Sequence, residues 1–183
     1  MTDVLLVDRK DNVTGRAEKV AAHKLGLLHR AFSIFVTNGR DELLFQRRAW
    51  GKYHSGGIWA NSCCGHPERD DVSIEVAAQQ RLYEELGIEV LLFPLFTTIY
   101  RAAVEPAMVE FEFVHCFWGV SDGTPRPDTK EVSQIAWHAL DQIPQLIDRH
   151  ESNYAPWLVH YVRRCNLVRH LKQQATEPPR RRT

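Results

Sequence analysis

The chain has 183 residues, of which 44% are hydrophobic and 25% charged, the proportions of one globular domain with a core of its own. Lys and Arg number 23, as do Asp and Glu, so the formal net charge is zero and gives no indication of a nucleic-acid or acidic membrane partner. The apolar run Val4–Val7 is too short for a signal peptide, and no stretch approaches a membrane span. We therefore expect a cytoplasmic protein. Its oligomeric state does not follow from these features, and a monomer or a weak homodimer is the expectation.

The first half of the chain is rich in strand signals. A strand is predicted at Val4–Val7, followed by turn residues over Asp8–Gly15. Two β-rich runs, Ala31–Thr37 and Glu42–Gln46, flank an Asn-Gly pair, which is a strong hairpin signal. Residues 53–67 are rich in Gly, Ser and His and are predicted to form a loop around a short strand.

The second half begins with a helix, predicted from a Ser73 cap to Leu86 and closed by Gly87. Three strands are then predicted over residues 90–101, 108–120 and 131–138, and two helices over 141–150 and 156–174. This order predicts an α+β fold, an α/β/α sandwich with a mixed sheet flanked by helices, as a single domain over residues 1–175. Residues 176–183 (TEPPRRRT) are predicted to be a disordered tail.

The predicted strand over residues 108–120 contains two carboxylates in the run VEFEFV. Alternate residues of a strand share a face, so Glu110 and Glu112 lie together, roughly 7 Å apart at the backbone. One interpretation is the solvated face of an antiparallel strand. The repeated like charge favours the other, a pair of ligands for a metal ion that turns their repulsion into coordination.

Three histidines could complete such a metal site. His23 and His29 flank the predicted end of a helix and start of a strand, and His66 follows in the loop after Cys64. Each alone is more often a hydrogen-bonded polar residue than a ligand. Together with two carboxylates, three imidazoles would form a mixed nitrogen and oxygen site that suits Mn, Fe or Zn better than Mg alone.

The four cysteines contain no C-x-x-C pair, so a structural zinc ribbon is not indicated, and the thiols are expected to stay reduced. Cys63 and Cys64 are adjacent and cannot both face one pocket on an extended segment; for either, a buried structural thiol is a common alternative. Cys64 is the stronger functional candidate, because Gly65 permits close backbone approach and His66 could bring a metal near. Its thiol can act as a nucleophile or as an acid.

These residues belong to a wider set of motifs between roughly Val4 and Lys172. The most specific are WANSCCGHP (59–67) and VEFE (109–112), and the others are KVAAH (19–23), LHRAF (28–32), QRRA (46–49), RLYEELG (81–87), YRA (100–102) and APW (155–157). Together the motifs resemble those of the type I isopentenyl-diphosphate isomerases, a family of the Nudix superfamily. The resemblance implies a Nudix-like fold and conversion of isopentenyl diphosphate into dimethylallyl diphosphate through a tertiary carbocation.

The resemblance also implies a role for each site residue. Cys64 and Glu112 would be the catalytic pair, Tyr100 would assist beside the carboxylate, and Trp157 would face the cationic centre. The implied ligands of Mn²⁺ or Zn²⁺ are His23, His29, His66, Glu110 and Glu112. The implied contacts to the substrate diphosphate are Lys19, Arg48, Lys52 and Arg81. Glu85 and the carbonyl of Cys64 would accompany a Mg²⁺ ion bound with the substrate.

Some of these residues have ordinary alternatives. Arg81 and Glu85 lie four apart on a helix and could be a surface ion pair worth a few tenths of a kcal/mol. Beside a diphosphate, however, arginine grips phosphate oxygens and a carboxylate can hold the counter-ion. The other three basic residues are solvated charges by default, and the tryptophan is by default a core residue.

The activity has two alternatives. The chain has QRLYEELGI (80–88) where the hydrolytic Nudix box ends in R-E-U-x-E-E-x-G-U, so one carboxylate for hydrolytic metal binding is missing. This favours isomerisation of a small allylic or homoallylic diphosphate over hydrolysis of a nucleotide or other diphosphate. A hydrolase would make Cys64 dispensable. A non-catalytic binding module is the second alternative, and the intact set of histidines, carboxylates and cysteine argues against it.

Overall fold

The computed structural model of the protein describes residues 3–52, 54–105 and 107–176. Within these residues nine strands form one sheet: β1 (Asp3–Val7), β2 (Val13–Glu18), β3 (His29–Thr37), β4 (Glu42–Arg48), β5 (Trp59–Ala60), β6 (Cys63–Gly65), β7 (Phe93–Glu105), β8 (Met108–Val120) and β9 (Val132–Ala139). The helices are α1 (Lys19–Leu25), α2 (Ile74–Leu86), α3 (Ile143–Arg149), α4 (Pro156–Arg164) and α5 (Leu167–Thr176). Across the described ranges, every helix is too short or too polar to span a membrane.

The centre of the sheet is the parallel pair β3 and β8, in register from His29 opposite Glu112 onwards. On the far edge of β8, the antiparallel strand β7 places Tyr100 opposite Glu112. On the other edge of β3, the short antiparallel strand β6 places Cys64 opposite Ser33. The mixed sheet predicted from the sequence is confirmed, and its register brings polar residues from four strands to one region.

Both faces of the sheet are covered. Because side chains alternate along a strand, β3 sends Ile34 towards Leu82 of α2 on one face and Phe35 towards Tyr161 of α4 on the other. All four side chains are fully buried. Helices on both faces make the predicted three-layer α/β/α sandwich, and the site lies where these layers meet.

Several helix and strand ends lie where local sequence signals predicted them. The Ser73 side chain caps α2 by accepting a hydrogen bond from the backbone N–H of Val76, and Gly87 closes the helix with a φ of 62°. The Asn-Gly hairpin is also present, with Thr37 of β3 opposite Leu43 of β4.

Three predictions of secondary structure need correction. The segment predicted as a turn ends in β2, whose residues from Val13 pair with β1. The predicted loop over residues 53–67 holds two short strands, not one. The long C-terminal helix is broken into α4 and α5 at Asn166, which has a φ of 52°. Of the predicted tail, Thr176 ends α5 and residues 177–183 lie outside the described residues.

Candidate active site

A cavity of about 540 Å³ lies beside the sheet, within the range of small-molecule sites. The predicted site residues that line it are Lys19, Arg48, Lys52, Cys64, His66, Arg81, Glu85, Tyr100, Glu110, Glu112 and Trp157. His23 and His29 are fully buried, and both rings lie within 6 Å of the His66 ring. The fold therefore brings all the predicted site residues into one region, although they come from distant parts of the chain.

The histidines gather around Glu112. Its Oε1 atom lies 2.8 Å from Nε2 of His66 and 3.7 Å from Nε2 of His29, and these two nitrogens are 3.2 Å apart. His23 joins them from α1, so that ligand atoms of all four residues lie within 4.8 Å of one another. Glu110 lies at the edge of this group, with its Oε1 atom 4.0 Å from Nε2 of His23.

Two of the imidazoles, those of His23 and His29, are oriented as metal ligands are. Nδ1 of His23 lies 2.7 Å from the carbonyl of Lys19, and Nδ1 of His29 lies 2.8 Å from that of Leu27. A carbonyl can only accept, so each Nδ1 donates and each Nε2 presents its lone pair to the carboxylates. Burial lowers the pKa of His66 to about 3, which keeps its ring neutral, as coordination requires. These residues fit a divalent metal ion.

The two carboxyl groups are linked by Tyr100. Its hydroxyl is 2.7 Å from Oε2 of Glu112 and makes a close contact with Oε2 of Glu110. A hydroxyl has one hydrogen and cannot donate to both groups at once, so a second proton is needed. Burial and the neighbouring Glu112 raise the pKa of Glu110 to about 8, which supplies that proton. Burial alone would raise the pKa of Glu112, but its close contacts with His29 and His66 hold it well below its usual value.

Burial also decides between the two interpretations of this strand. Glu110 is 5% exposed and Glu112 is 6% exposed. The solvated strand face is therefore wrong, and the pair belongs to an enclosed polar site. Uncompensated carboxylates at such depth are strongly disfavoured, which is consistent with the histidines packed around them.

The adjacent cysteines of β6 point to opposite sides. Cys63 is fully buried in the core beneath α2, whereas Cys64 lines the cavity. Burial raises the pKa of the Cys64 thiol to about 12, against the opposing influence of Arg48. The group is therefore a neutral thiol at physiological pH, able to donate a proton.

The basic residues form the second half of the cavity wall, together with acidic partners. Arg81 Nη2 lies 2.7 Å from Oε1 of Glu85 and 2.8 Å from Oε2 of Glu131, and the Lys52 ammonium also contacts Glu131. Glu85 is 4% exposed and accepts a further hydrogen bond of 3.0 Å from Gln46 Nε2. Arg81 and Glu85 do form the ion pair of the ordinary alternative, but Glu85 is buried and both residues line the cavity. Cations beside paired carboxylates can bind an anion together with its divalent counter-ion.

Trp157 is held at the start of α4. Its indole Nε1 donates to Oδ1 of Asn61 at 3.1 Å, and the amide of Asn61 in turn donates to the carbonyls of Ile34 and Cys63. The Arg48 guanidinium carbon lies 5.4 Å from the centroid of the indole ring. The indole is buried and also borders the cavity, so it is both a core residue and part of the site wall.

Sequence reasoning missed three residues of this site. His54 lies in the Gly- and Ser-rich loop with its Nε2 3.2 Å from Oε1 of Glu110. Glu131 contacts both Arg81 and Lys52, and Gln46 supports Glu85. His54 and Glu131 are single polar residues without periodic spacing and outside the recognised motifs, whereas Gln46 opens the motif QRRA but has no predicted role.

The comparisons with known proteins agree with this geometry. The NUDIX domain model matches residues 27–161. The structure of DR0079 from Deinococcus radiodurans, at 22% identity, superposes with a TM-score of 0.73 over 89% of this chain and 98% of that one. The protein is thus of the Nudix fold class.

The sequence relatives narrow this class. An isopentenyl-diphosphate Delta-isomerase of Burkholderia multivorans is 44% identical over 90% of this chain and 93% of its own length. Another, from Pectobacterium atrosepticum, is 41% identical over 86% of this chain and 87% of its own. The chain belongs to the isopentenyl-diphosphate Delta-isomerase family.

Proposed function

We propose that the protein interconverts isopentenyl and dimethylallyl diphosphate by adding a proton at the terminal alkene carbon and removing one from C2. The observation that carries the proposal is geometric: the thiol of Cys64 and the carboxylate of Glu112 lie on separate strands and border one cavity with a cluster of cations. Membership of the isomerase family supports the same assignment over hydrolysis.

The chemistry needs one acid and one base. An alkene is a very weak base, so its protonation must be coupled to stabilisation of the tertiary cation and loss of another proton. In the reverse direction the two groups exchange roles, and a thiol and a carboxylate can each both give and take a proton. Tyr100 holds Glu112 in position through its hydroxyl. The indole of Trp157 stabilises the cation through a cation–π contact worth about 2 kcal/mol when desolvated.

The rest of the cavity wall binds the diphosphate. Its oxygens are bound by the basic residues of the wall, Lys19, Arg48, Lys52 and Arg81. Glu85 and the carbonyl of Cys64 hold Mg²⁺ that arrives with the substrate. His23, His29, His66, Glu110 and Glu112 hold Mn²⁺ or Zn²⁺, which supplies positive charge that stabilises the ionised carboxylates.

The cellular setting is part of the same proposal. The cysteines of the described residues, Cys63, Cys64, Cys116 and Cys165, are all free thiols, which accords with a reducing cytoplasm. We place the protein there as a monomer or a weak homodimer that acts on a freely diffusing substrate.

The test is incubation with isopentenyl diphosphate, Mg²⁺ and Mn²⁺ in D₂O, followed by NMR. Dimethylallyl diphosphate carrying deuterium is expected. Released phosphate would instead indicate hydrolysis, and unchanged substrate would overturn the enzymatic assignment.

Variants then test the acid and base. Cys64→Ala and Glu112→Gln should each lower turnover by about 10³-fold or more with the fold intact, since general acid and base groups contribute about 10²–10⁴-fold each. Cys63→Ala is the matched control, because this neighbouring thiol faces the core, and it should keep most of the activity. A Cys64→Ala enzyme with near-normal turnover would remove the thiol from the mechanism.

A further inference from the structure

His54 is a buried imidazole at the cavity wall that the family motifs do not account for. It is 4% exposed, and its Nε2 lies 3.2 Å from Oε1 of Glu110. Its ring centroid is 5.6 Å from that of His23. Ligand atoms of His23, His54 and Glu110 lie within 4.8 Å of one another. This trio shares His23 with the group of histidines around Glu112.

The orientation of His54 matches that of His23 and His29. Its Nδ1 lies 3.2 Å from the hydroxyl of Ser55, as the Nδ1 atoms of His23 and His29 lie against carbonyl oxygens. In all three rings a neighbour therefore engages Nδ1 while Nε2 faces a carboxylate. A polar partner on the outer nitrogen, with the inner nitrogen turned to the centre, is the usual arrangement of a metal-bound histidine.

The backbone that carries His54 is held in place. Arg48 donates from Nη2 to the carbonyl of His54 at 3.3 Å and from Nε to that of Ser55 at 3.2 Å. Ser55 adopts a φ of 51°, a left-handed conformation that non-glycine residues seldom take without support. The buried guanidinium supplies that support, so the loop presents His54 to Glu110 in a fixed position.

We propose that His54 is a further ligand of the divalent ion, bound through Nε2 beside Glu110. The inference rests on the metal centre of the proposed function and enlarges it to four imidazoles and two carboxylates. Six protein donors suit Mn²⁺ better than Zn²⁺, which is most often held by four ligands. If His54 only anchored Glu110, its Nε2 atom would not also need to lie close to the ligand atom of His23.

The test uses Mn²⁺ as the probe. The free-ion signal in an EPR titration gives the dissociation constant, and pulsed EPR gives the number of nitrogens bound to the ion. Four are expected in the wild-type chain and three in His54→Gln, which keeps an N–H donor for Glu110 but loses the imidazole. The dissociation constant should rise at least about tenfold, the lower bound seen even for residues that only support a ligand. The control is His138→Gln, since this partly buried histidine does not line the cavity.

Each outcome decides the assignment. Three nitrogens in the wild-type chain would overturn it, whatever the variant does, so the test does not depend on the variant folding. Weaker Mn²⁺ binding with an unchanged nitrogen count would leave His54 as a positioning residue and also overturn it. If the wild-type chain bound no Mn²⁺ tightly, the whole proposed centre would fail. The deuterium assay, run separately on the wild-type enzyme, would still show whether isomerisation occurs.

Discussion

Replacing Tyr100 with phenylalanine removes one oxygen from the centre of the site and leaves the ring in place. That oxygen lies 2.7 Å from Glu112 and in close contact with Glu110, and the side chain is 4% exposed. The variant therefore leaves two buried carboxyl groups facing each other without the hydroxyl between them. The remaining ring still packs against His160 and Tyr161, so the fold should be retained.

The expected loss of activity follows from the hydrogen bond between Tyr100 and Glu112. A hydrogen bond to a charged group contributes about 1.5–3 kcal/mol, and each 1.4 kcal/mol is a factor of ten. We expect kcat/KM of Tyr100→Phe to fall roughly 10- to 150-fold. The loss should lie in kcat, because Tyr100 bonds to the proposed catalytic carboxylate and not to the basic residues proposed to bind the diphosphate.

The assay is steady-state conversion of isopentenyl diphosphate, with Tyr161→Phe as the matched control. Tyr161 is equally buried, but its hydroxyl bonds to the neutral hydroxyl of Ser33 at 2.9 Å. This bond is worth about 1 kcal/mol of stability and should leave kcat nearly unchanged. If Tyr100→Phe kept kcat within twofold of the control, or lost activity only through KM, the role of Tyr100 beside Glu112 would be refuted.

Three further predictions concern other parts of the site. Arg81→Gln should raise KM about tenfold or more with little change in kcat, because a charge-assisted phosphate contact is lost; steady-state kinetics showing the reverse would exclude Arg81 from the diphosphate site. Below its pKa of about 8, Glu110 is protonated in the metal-free protein, so Mn²⁺ must displace that proton. Affinity should therefore rise about tenfold per pH unit from pH 6 towards 8 and then level off, and calorimetry in two buffers should detect about one released proton per ion at pH 7. In Gly65→Ala the new Cβ would lie 2.8 Å from Cζ of Phe32, which should cost about 1–3 kcal/mol in urea unfolding, whereas Gly51→Ala meets no atom within 4 Å and should cost far less.

Local patterns predicted the elements that local interactions determine. The Ser73 cap and Gly87 close both ends of α2 with hydrogen bonds inside the helix or its first turn, so the sequence nearby suffices. Strand β2 was missed because its pairing with β1 is what makes it extended, and Gly15 within it resembles a turn residue. The break at Asn166 depends on a single left-handed residue that leaves the surrounding helical pattern intact.

Site residues could be predicted from the sequence where they lie within a recognisable motif. Glu110 and Glu112 share a strand face by simple alternation, and the structure places both in the cavity. His54 carries no such signal, because its position depends on Arg48 holding the carbonyls of the loop. The two charges of Arg81 and Glu131 likewise meet only once β9 has docked beside the helix that carries Arg81.

The parallel pairing of β3 with β8 also determines when, during synthesis and folding, the site residues can come together. His29 meets His66 across 37 positions of the chain, and His66 meets Glu112 across 46. Closing such long loops is entropically costly and slow compared with forming the helices or the hairpin. During synthesis the histidines emerge first, and their carboxylate partner follows only with β8. Capture of an ion by the proposed metal centre would therefore be a late event in folding, and metal loading would report that the central strands have already paired.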